Sequence, residues 1–190
     1  MTPRLVHLMR HGEPEGAGRL LGRTDAPATA AGIASCVDQV EGLEVNAIVS
    51  SDLLRARSSA EAAATAILGR PVAIDPRWRE LDFGDWDGLA ASAIDPAALG
   101  SFWKDPDTNP PPGGERWSAL LARVGEALAA LPDEPVLVIT HGGAMRAAMA
   151  ILCGMDQSAL WAIDLPYASL LTLRVWPSDP PSAQIVALRP

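Results

Sequence analysis

The stretch LVHLMRHG, residues 5–12, joins an apolar run to an arginine, a histidine and a glycine. Its apolar part predicts a buried β-strand over residues 5–9, which delivers Arg10, His11 and Gly12 directly into a loop. A second stretch, VLVITHGG at residues 136–143, repeats this order of a buried strand followed by a histidine and glycine. Buried strands whose ends carry polar residues are typical of parallel sheets in α/β proteins.

Helical patterns separate the apolar runs along the rest of the chain. We predict helices over residues 29–40, 51–68, 96–103, 115–131 and 143–152, with Thr29 and Ser51 as N-caps of the first two. Further strands are predicted over residues 45–49, 72–74, 168–175 and 184–188, and an irregular segment over residues 78–114. Strands joined through helices predict an α/β fold with a mostly parallel central sheet and helices on both faces.

Composition narrows the class of protein. A length of 190 residues with 48% apolar residues predicts a single domain over residues 1–190. The formal net charge of −8 argues against a nucleic-acid partner, and no apolar run is long enough for a membrane span. No signal-peptide pattern precedes the first strand, and Cys36 and Cys153 are too few and too far apart for a disulfide framework. A cytoplasmic location is therefore expected.

Cationic and imidazole side chains follow three of the predicted strands. Arg10 and His11 follow the first, Arg55 lies at the start of the helix after the second, and His141 with Gly142 follows the strand at 136–140. Because parallel strands end at the same edge of a sheet, these groups are expected to converge on a phosphate site. Each has a simpler interpretation by itself, as a polar strand exit, a tight turn or a solvated helix face.

His7 is interpreted differently, because it lies inside the first strand rather than at its end. We regard it as a structural histidine. A metal site built from His7 and His11 is rejected, because no cluster of Cys, Asp or Glu supplies further ligands at a recognisable spacing.

Four blocks in order carry a family resemblance: RHGE at 10–13, SSDLLRA at 50–56, RELDFGDWDG at 79–88 and THGG at 140–143. Together they resemble the histidine phosphatase superfamily, also called phosphoglycerate mutase-like. The resemblance implies a three-layer sandwich around the parallel sheet. Within the superfamily, the compact length, the pair Phe102-Trp103 and the stretch NPPPGGE at 109–115 look most like the α-ribazole phosphatases.

The resemblance implies a role for each matching residue. His11 would be the nucleophile that forms a phosphohistidine, Arg10 and Arg55 would bind the phosphate, and His141 would hold a phosphate oxygen. Glu80 would donate a proton to the leaving alcohol and then activate water. The chemistry implied in this family needs neither a metal nor another cofactor.

Other residues are left open or assigned minor roles. Gly142 is expected to contribute to substrate binding, while Asp82 is interpreted as a turn residue and Arg57 as a rim residue. Ala17 stands where family members often carry Asn, so one phosphate contact is expected to be missing. Four tryptophans bracket the irregular segment, and one or two of them are expected to form an aromatic wall: Trp78, Trp86, Trp103 and Trp117.

These residues predict a metal-independent phosphomonoesterase acting on α-ribazole 5′-phosphate or a similar small phosphomonoester. A phosphoglycerate mutase, or a phosphatase of sugar phosphates or of broad specificity, remains an alternative on the same site. A non-catalytic binder of phosphorylated ligands is a weaker alternative, because Arg10, His11, Arg55, Glu80 and His141 are all present. The oligomeric state is left open, with a homodimer among the possibilities.

Overall fold

The strands of the central sheet come from both ends and from the middle of the sequence. A computed structural model describes residues 2–67, 69 and 71–190. Its strands are β1 (Arg4–Arg10), β2 (Ala47–Ser50), β3 (Val72–Ile74), β4 (Val136–Thr140), β5 (Leu170–Trp176) and β6 (Ser182–Arg189). Their order in the sheet is β3-β2-β4-β1-β5-β6. The first four in this order are parallel, whereas β5 is antiparallel to β1 and β6 to β5. The predicted mostly parallel sheet is confirmed.

Helices cover both faces of the sheet, as predicted. They are α1 (Ala30–Gln39), α2 (Leu54–Ala66), α3 (Pro96–Lys104), α4 (Trp117–Ala129), α5 (Gly142–Cys153) and α6 (Gln157–Trp161). Successive strand residues point to opposite faces, so Met9 and Ile139 pack in the core beneath α1 and α2, while Leu8 and Val138 pack in the core with α4 and α5. Apolar residues on both sides of a strand explain why β1 and β4 read as continuous apolar runs.

The start of α2 differs from the prediction. Thr29 caps α1 as expected, because its Oγ1 accepts the N–H of Gly32 at 3.0 Å. Ser51, by contrast, is not the N-cap of α2, which follows Leu53 without a side-chain cap. The Ser51 hydroxyl lies instead 2.9 Å from Nε2 of His141. The predicted end of this helix at residue 68 lies outside the described residues.

Two glycines let α1 approach the end of β1 closely. A methyl group on Gly12 would overlap the backbone of Gly32, and one on Gly32 would overlap the backbone of Glu13. The N–H of Gly12 also donates to Oγ of Ser59 in α2 at 3.1 Å. The loop that follows β1 is therefore held by two helices on one face of the sheet.

Several short elements were not revealed by the sequence pattern. Three 3₁₀ turns lie at Pro76–Trp78, Gly84–Trp86 and Ala91–Ala93, and α6 was not predicted. The expected helices over 96–103, 115–131 and 143–152 are present with ends shifted by one or two residues.

Among the described residues, no helix is long and apolar enough to cross a membrane. Cys36 and Cys153 are both free thiols.

Candidate active site

His11 is fixed by backbone hydrogen bonds on both sides. It is the first residue after β1, and its N–H donates to the carbonyl of Thr140 at 2.9 Å while its own carbonyl accepts the N–H of Ala168 at 3.2 Å. The ring is buried, and its Nδ1 lies 2.7 Å from the carbonyl oxygen of Gly12. Because a carbonyl can only accept, Nδ1 carries the proton and Nε2 keeps its lone pair.

Arg55 brings its guanidinium to that lone pair. The side chain is fully buried, and its Nε lies 3.3 Å from Nε2 of His11. Its Nη1 donates to the carbonyl of Thr24 at 2.8 Å, and its Nη2 donates to the carbonyls of Leu21 and Gly22 at 2.7 and 3.2 Å. Backbone carbonyls of one loop therefore orient this arginine.

Asp87 holds the same loop from the other side. Its carboxylate accepts the backbone N–H groups of Gly22, Arg23 and Thr24 and the hydroxyl of Thr24, the last at 2.8 Å. Asp87 thus binds backbone N–H groups of the segment 21–24, and Arg55 binds backbone carbonyls of the same segment. We expect the position of Arg55 to depend on this carboxylate.

His141 faces His11 from the end of β4. The two ring centroids are 4.9 Å apart at an interplanar angle of 61°. The hydroxyl of Ser51 accepts the N–H of Leu53 at 3.3 Å and can direct its own hydrogen to Nε2 of His141, which is the arrangement that places the ring proton on Nδ1. This Nδ1 is buried and has no partner among the described residues.

Both histidines are held in the neutral state. Burial first, and then the charge of Arg55, lower the pKa of His11 and of His141 well below the ordinary histidine value. Arg10 lowers the pKa of both rings further. A neutral imidazole is the form that can act as a nucleophile or accept a proton.

Arg10 extends the cationic end of the site. Its Nη1 donates to the carbonyl of Leu165 at 2.6 Å, and its Cζ lies 4.0 Å from the ring centroid of Tyr167. Its Nε is buried and has no partner within the described part of the chain. A buried unpaired donor beside a neutral histidine is suited to an anionic ligand.

Glu80 is the carboxylate that lines the same cavity. Its Oε1 accepts the N–H groups of Gly143 at 3.0 Å and of Leu81 at 2.8 Å. A methyl group on Gly143 would overlap Oε1, so a larger residue there would displace the carboxylate of Glu80. Asp82 does not line the cavity; it accepts the N–H of Gly84 at 2.9 Å and pairs with Arg23, as a turn residue does.

The cavity has a volume of about 190 Å³ and two unlike ends. Its polar wall consists of Arg10, His11, Arg19, Arg55, Glu80, Gly142, Gly143 and Arg146. Its other wall is aromatic and apolar, and includes Leu20, Leu21, Phe83, Phe102, Trp103, Trp117, Trp161 and Tyr167. Of the four bracketing tryptophans, Trp103 and Trp117 therefore line the cavity, while Trp78 and Trp86 belong to the core.

Several lining residues were not expected from the sequence, among them Arg19, Arg146, Trp161 and Tyr167. Arg146 follows Gly142 by four residues on α5, a spacing that places its side chain over the first residue of the helix. That spacing was an available signal. Trp161 and Tyr167 lie on and after the unpredicted α6, and no local pattern connects them to the strand ends.

The remaining candidates lie away from the cavity. His7 is buried in β1, where its Nδ1 lies 3.0 Å from Oγ1 of Thr172, and burial lowers its pKa to about 4. Arg57 is exposed on α2, and its Nε lies 3.8 Å from Oε1 of Glu61. Ala17 lies on an exposed loop and is not among the lining residues.

Comparison with known proteins identifies the family. Residues 6–186 match the model of the histidine phosphatase superfamily (branch 1), and the chain belongs to this family. It is a histidine phosphatase, an enzyme that hydrolyses phosphoric monoesters.

Two relatives are named for phosphorylated glycerate compounds. A glucosyl-3-phosphoglycerate phosphatase of Mycolicibacterium vanbaalenii is 34% identical over 82% of this chain and 76% of its own length. A probable phosphoglycerate mutase GpmB of Salmonella choleraesuis is 31% identical over 83% of this chain and 77% of its own. A native structure of a mycobacterial glucosyl-3-phosphoglycerate phosphatase superposes with a TM-score of 0.86 at 29% identity, covering 97% of this chain and 98% of the other. The expected likeness to α-ribazole phosphatases in particular is not supported by these relatives.

Proposed function

We propose that this histidine phosphatase hydrolyses a small phosphomonoester through a phosphohistidine on Nε2 of His11, without a metal ion. The observation that supports it is the environment of that ring. The carbonyl of Gly12 fixes the proton on Nδ1, and the resulting lone pair on Nε2 faces the cavity's cationic end beside Arg55.

In the first step, the Nε2 lone pair of His11 attacks phosphorus and the bond from phosphorus to the ester oxygen breaks. Arg10 and Arg55 bind the non-bridging oxygens, whose negative charge they offset throughout the transfer. His141 donates Nδ1–H to one of these oxygens, and Gly142, at the start of α5, adds the positive end of the helix.

Glu80 supplies and later removes the proton. Its carboxylic acid protonates the leaving alcohol oxygen as the ester bond breaks. Its carboxylate then takes a proton from water as that water attacks the phosphohistidine, and the nitrogen–phosphorus bond breaks to release inorganic phosphate and neutral His11. The hydrogen bonds from Gly143 and Leu81 keep this carboxyl group at the cavity wall through both steps.

For the substrate, we propose a phosphoglycerate-like compound or a sugar phosphate. The relatives named for glucosyl-3-phosphoglycerate and phosphoglycerate support this class. α-Ribazole 5′-phosphate is the second candidate, because the aromatic wall that includes Trp103, Trp117 and Trp161 is suited to a flat base. Both candidates place the phosphate at the cationic end and the leaving group against the aromatic wall.

The mechanism is tested by trapping the intermediate. We expect wild-type protein mixed with ³²P-labelled substrate and quenched in alkali to retain label that mild acid removes, as a phosphohistidine does. His11→Ala should retain no label and lose at least about 10⁴-fold in kcat. His7→Gln, at a histidine outside the cavity, is the matched control and should still form the labelled intermediate. Full activity in His11→Ala would overturn the proposed nucleophile.

The substrate class is tested by a panel: glucosyl-3-phosphoglycerate, 3-phosphoglycerate, glucose 6-phosphate and α-ribazole 5′-phosphate. The highest kcat/KM for one of the first three would support the phosphoglycerate or sugar class, and the highest for the last would support the second candidate. Inorganic phosphate should accumulate with 3-phosphoglycerate, whereas sustained formation of 2-phosphoglycerate would indicate a mutase. No turnover of any compound would favour a non-catalytic binder.

A further inference from the structure

Arg146 lies beside Arg10 at the edge of the phosphate site. A methyl group built on Gly142 would lie 3.3 Å from Nη1 of Arg146 and 3.7 Å from Nε of Arg10. The two guanidinium groups therefore flank the same small space over the start of α5. Two like charges this close repel each other, and Arg10 and burial both lower the pKa of Arg146.

One segment of the chain holds both arginines in the same way. Arg10 donates to the carbonyl of Leu165 and stacks on Tyr167, and Arg146 donates from Nη2 to the carbonyl of Ile163 at 3.0 Å. The Cζ of Arg146 lies 4.9 Å from the ring centroid of Trp161. Residues 161–167 thus contact each of the two arginines through one backbone carbonyl and one aromatic ring.

Both arginines keep an unused donor. Nε of each is buried and has no partner among the described residues, and neither side chain forms an ion pair there. Nη2 of Arg146 gives one of its two hydrogens to Ile163, and Nη1 gives one to the carbonyl of Gly142 at 3.4 Å, which leaves Nε–H and one hydrogen on each Nη. A carboxylate can accept such free guanidinium hydrogens with its two oxygens.

Arg146 lies outside the group of charges that act directly on the nucleophile. Arg55 and Arg10 lower the pKa of His11, whereas Arg146 interacts with Glu80, Arg10 and Asp164. It also contacts Trp161 at the aromatic wall of the cavity. Its place between the phosphate site and that wall is where the leaving group of a bound substrate would lie.

We propose that Arg146 binds a carboxylate on the leaving group and so selects phosphomonoesters that carry one. This inference rests on the proposed function, and it deepens the substrate class to phosphorylated hydroxy acids. A compound of this class places its phosphate against Arg10 and Arg55 and its carboxylate on the free donors of Arg146.

The test uses two substrates that differ only in the carboxylate, 3-phosphoglycerate and glycerol 3-phosphate. For wild-type protein, we expect kcat/KM to be about tenfold to a hundredfold higher for 3-phosphoglycerate, the range for a charge-assisted hydrogen bond. Arg146→Gln should bring the ratio of the two values close to one, and Arg146→Lys should restore part of it. Arg57→Gln, on the exposed face of α2, is the control and should keep the wild-type ratio.

Other outcomes would overturn the proposal. A wild-type ratio near one would show that no carboxylate is recognised. An unchanged ratio in Arg146→Gln, with equal losses on both substrates and weaker inhibition by inorganic phosphate, would assign Arg146 to the phosphate instead. Failure of the proposed function is distinguishable, because it would abolish phosphate release from both substrates in wild-type protein.

Discussion

The two ends of the cavity are built in different ways. The cationic end is assembled from residues at strand ends and at the starts of the helices after them, and its side chains hydrogen-bond to backbone carbonyls or to neighbouring side chains. The aromatic end is assembled from loops and from α3, α4 and α6, where side chains contact each other edge to face, as Trp103 and Trp161 do at 5.0 Å.

This difference separates chemistry from selectivity. Hydrogen bonds to the backbone fix a side chain's orientation within a narrow range, which phosphoryl transfer needs because it depends on positioning. Aromatic contacts tolerate changes of shape and size, so the leaving-group wall can vary without disturbing the nucleophile. Changes at the cationic end should therefore alter kcat, and changes at the aromatic end should alter preference among substrates.

Glu80→Gln should have the largest effect among the variants that leave His11 in place. We expect kcat for an alkyl phosphate to fall about 10²- to 10⁴-fold, because the leaving alcohol and the attacking water both lose their proton partner. The loss should be smaller for formation of the phosphohistidine from p-nitrophenyl phosphate, whose leaving group needs no proton. A stopped-flow measurement of p-nitrophenol release checks this, and equal losses on both substrates in that step would contradict the assigned role.

Asp87→Ala tests whether the loop at 21–24 positions Arg55. Removing this carboxylate leaves three backbone N–H groups and a hydroxyl without their acceptor, so we expect the free energy of unfolding to fall by about 1–3 kcal/mol. We also expect about a tenfold loss in kcat/KM, which inhibition by inorganic phosphate should mirror as weaker binding. Asp85→Ala, at an exposed residue two positions earlier, is the control, and equal effects in both variants would argue against positioning.

Substitutions of Trp103 and Trp86 distinguish the aromatic wall of the cavity from the hydrophobic core. Trp103→Ala should lower kcat/KM about fivefold for ring-bearing substrates relative to glycerol 3-phosphate, because stacking area is lost at an exposed rim. Trp86→Phe should change melting temperature rather than this preference, because Trp86 packs edge to face on Phe102 within the core. An unchanged preference in Trp103→Ala would remove this residue from the leaving-group wall.

The three histidines make the free energy of unfolding depend on pH. In the folded chain the pKa values of His7, His11 and His141 lie below 6.5, so below that pH the unfolded chain binds more protons. The free energy of unfolding should therefore fall as pH drops from 6.5 towards 5, by at most about 1.4 kcal/mol per pH unit for each histidine. Urea unfolding at these pH values measures the slope, and His7→Gln should make it shallower. A slope unchanged in that variant would mean that His7 titrates normally.

The same contrast explains what the sequence could predict. Strands β3 and β4 match their predicted bounds, because each is a short apolar run between clear breakers. The convergence of Arg10, His11, Arg55 and His141 followed from parallel topology, since each residue follows its strand closely.

The aromatic end could not be predicted in this way. Trp161 and Tyr167 reach the cavity because α6 and the loop after it fold back over α5, a long-range arrangement that has no local periodicity. Ser51 also shows that a tertiary contact can override a local signal. Serine favours an N-cap, but the hydroxyl of Ser51 forms a hydrogen bond with His141 instead. Helix α6 itself had a local signal in Asp156, whose side chain caps it, but five residues are too short for a helical pattern.

The contact between Gly12 and Gly32 has a consequence for variation in this chain. No side chain separates α1 from the loop after β1, so the two backbones are in direct contact. A single added methyl group at either glycine must displace the loop, and His11 is the residue next to it. Tolerance to substitution should thus be low at two residues that have no side chain, and replacement of either one would require α1 to pack farther from the loop.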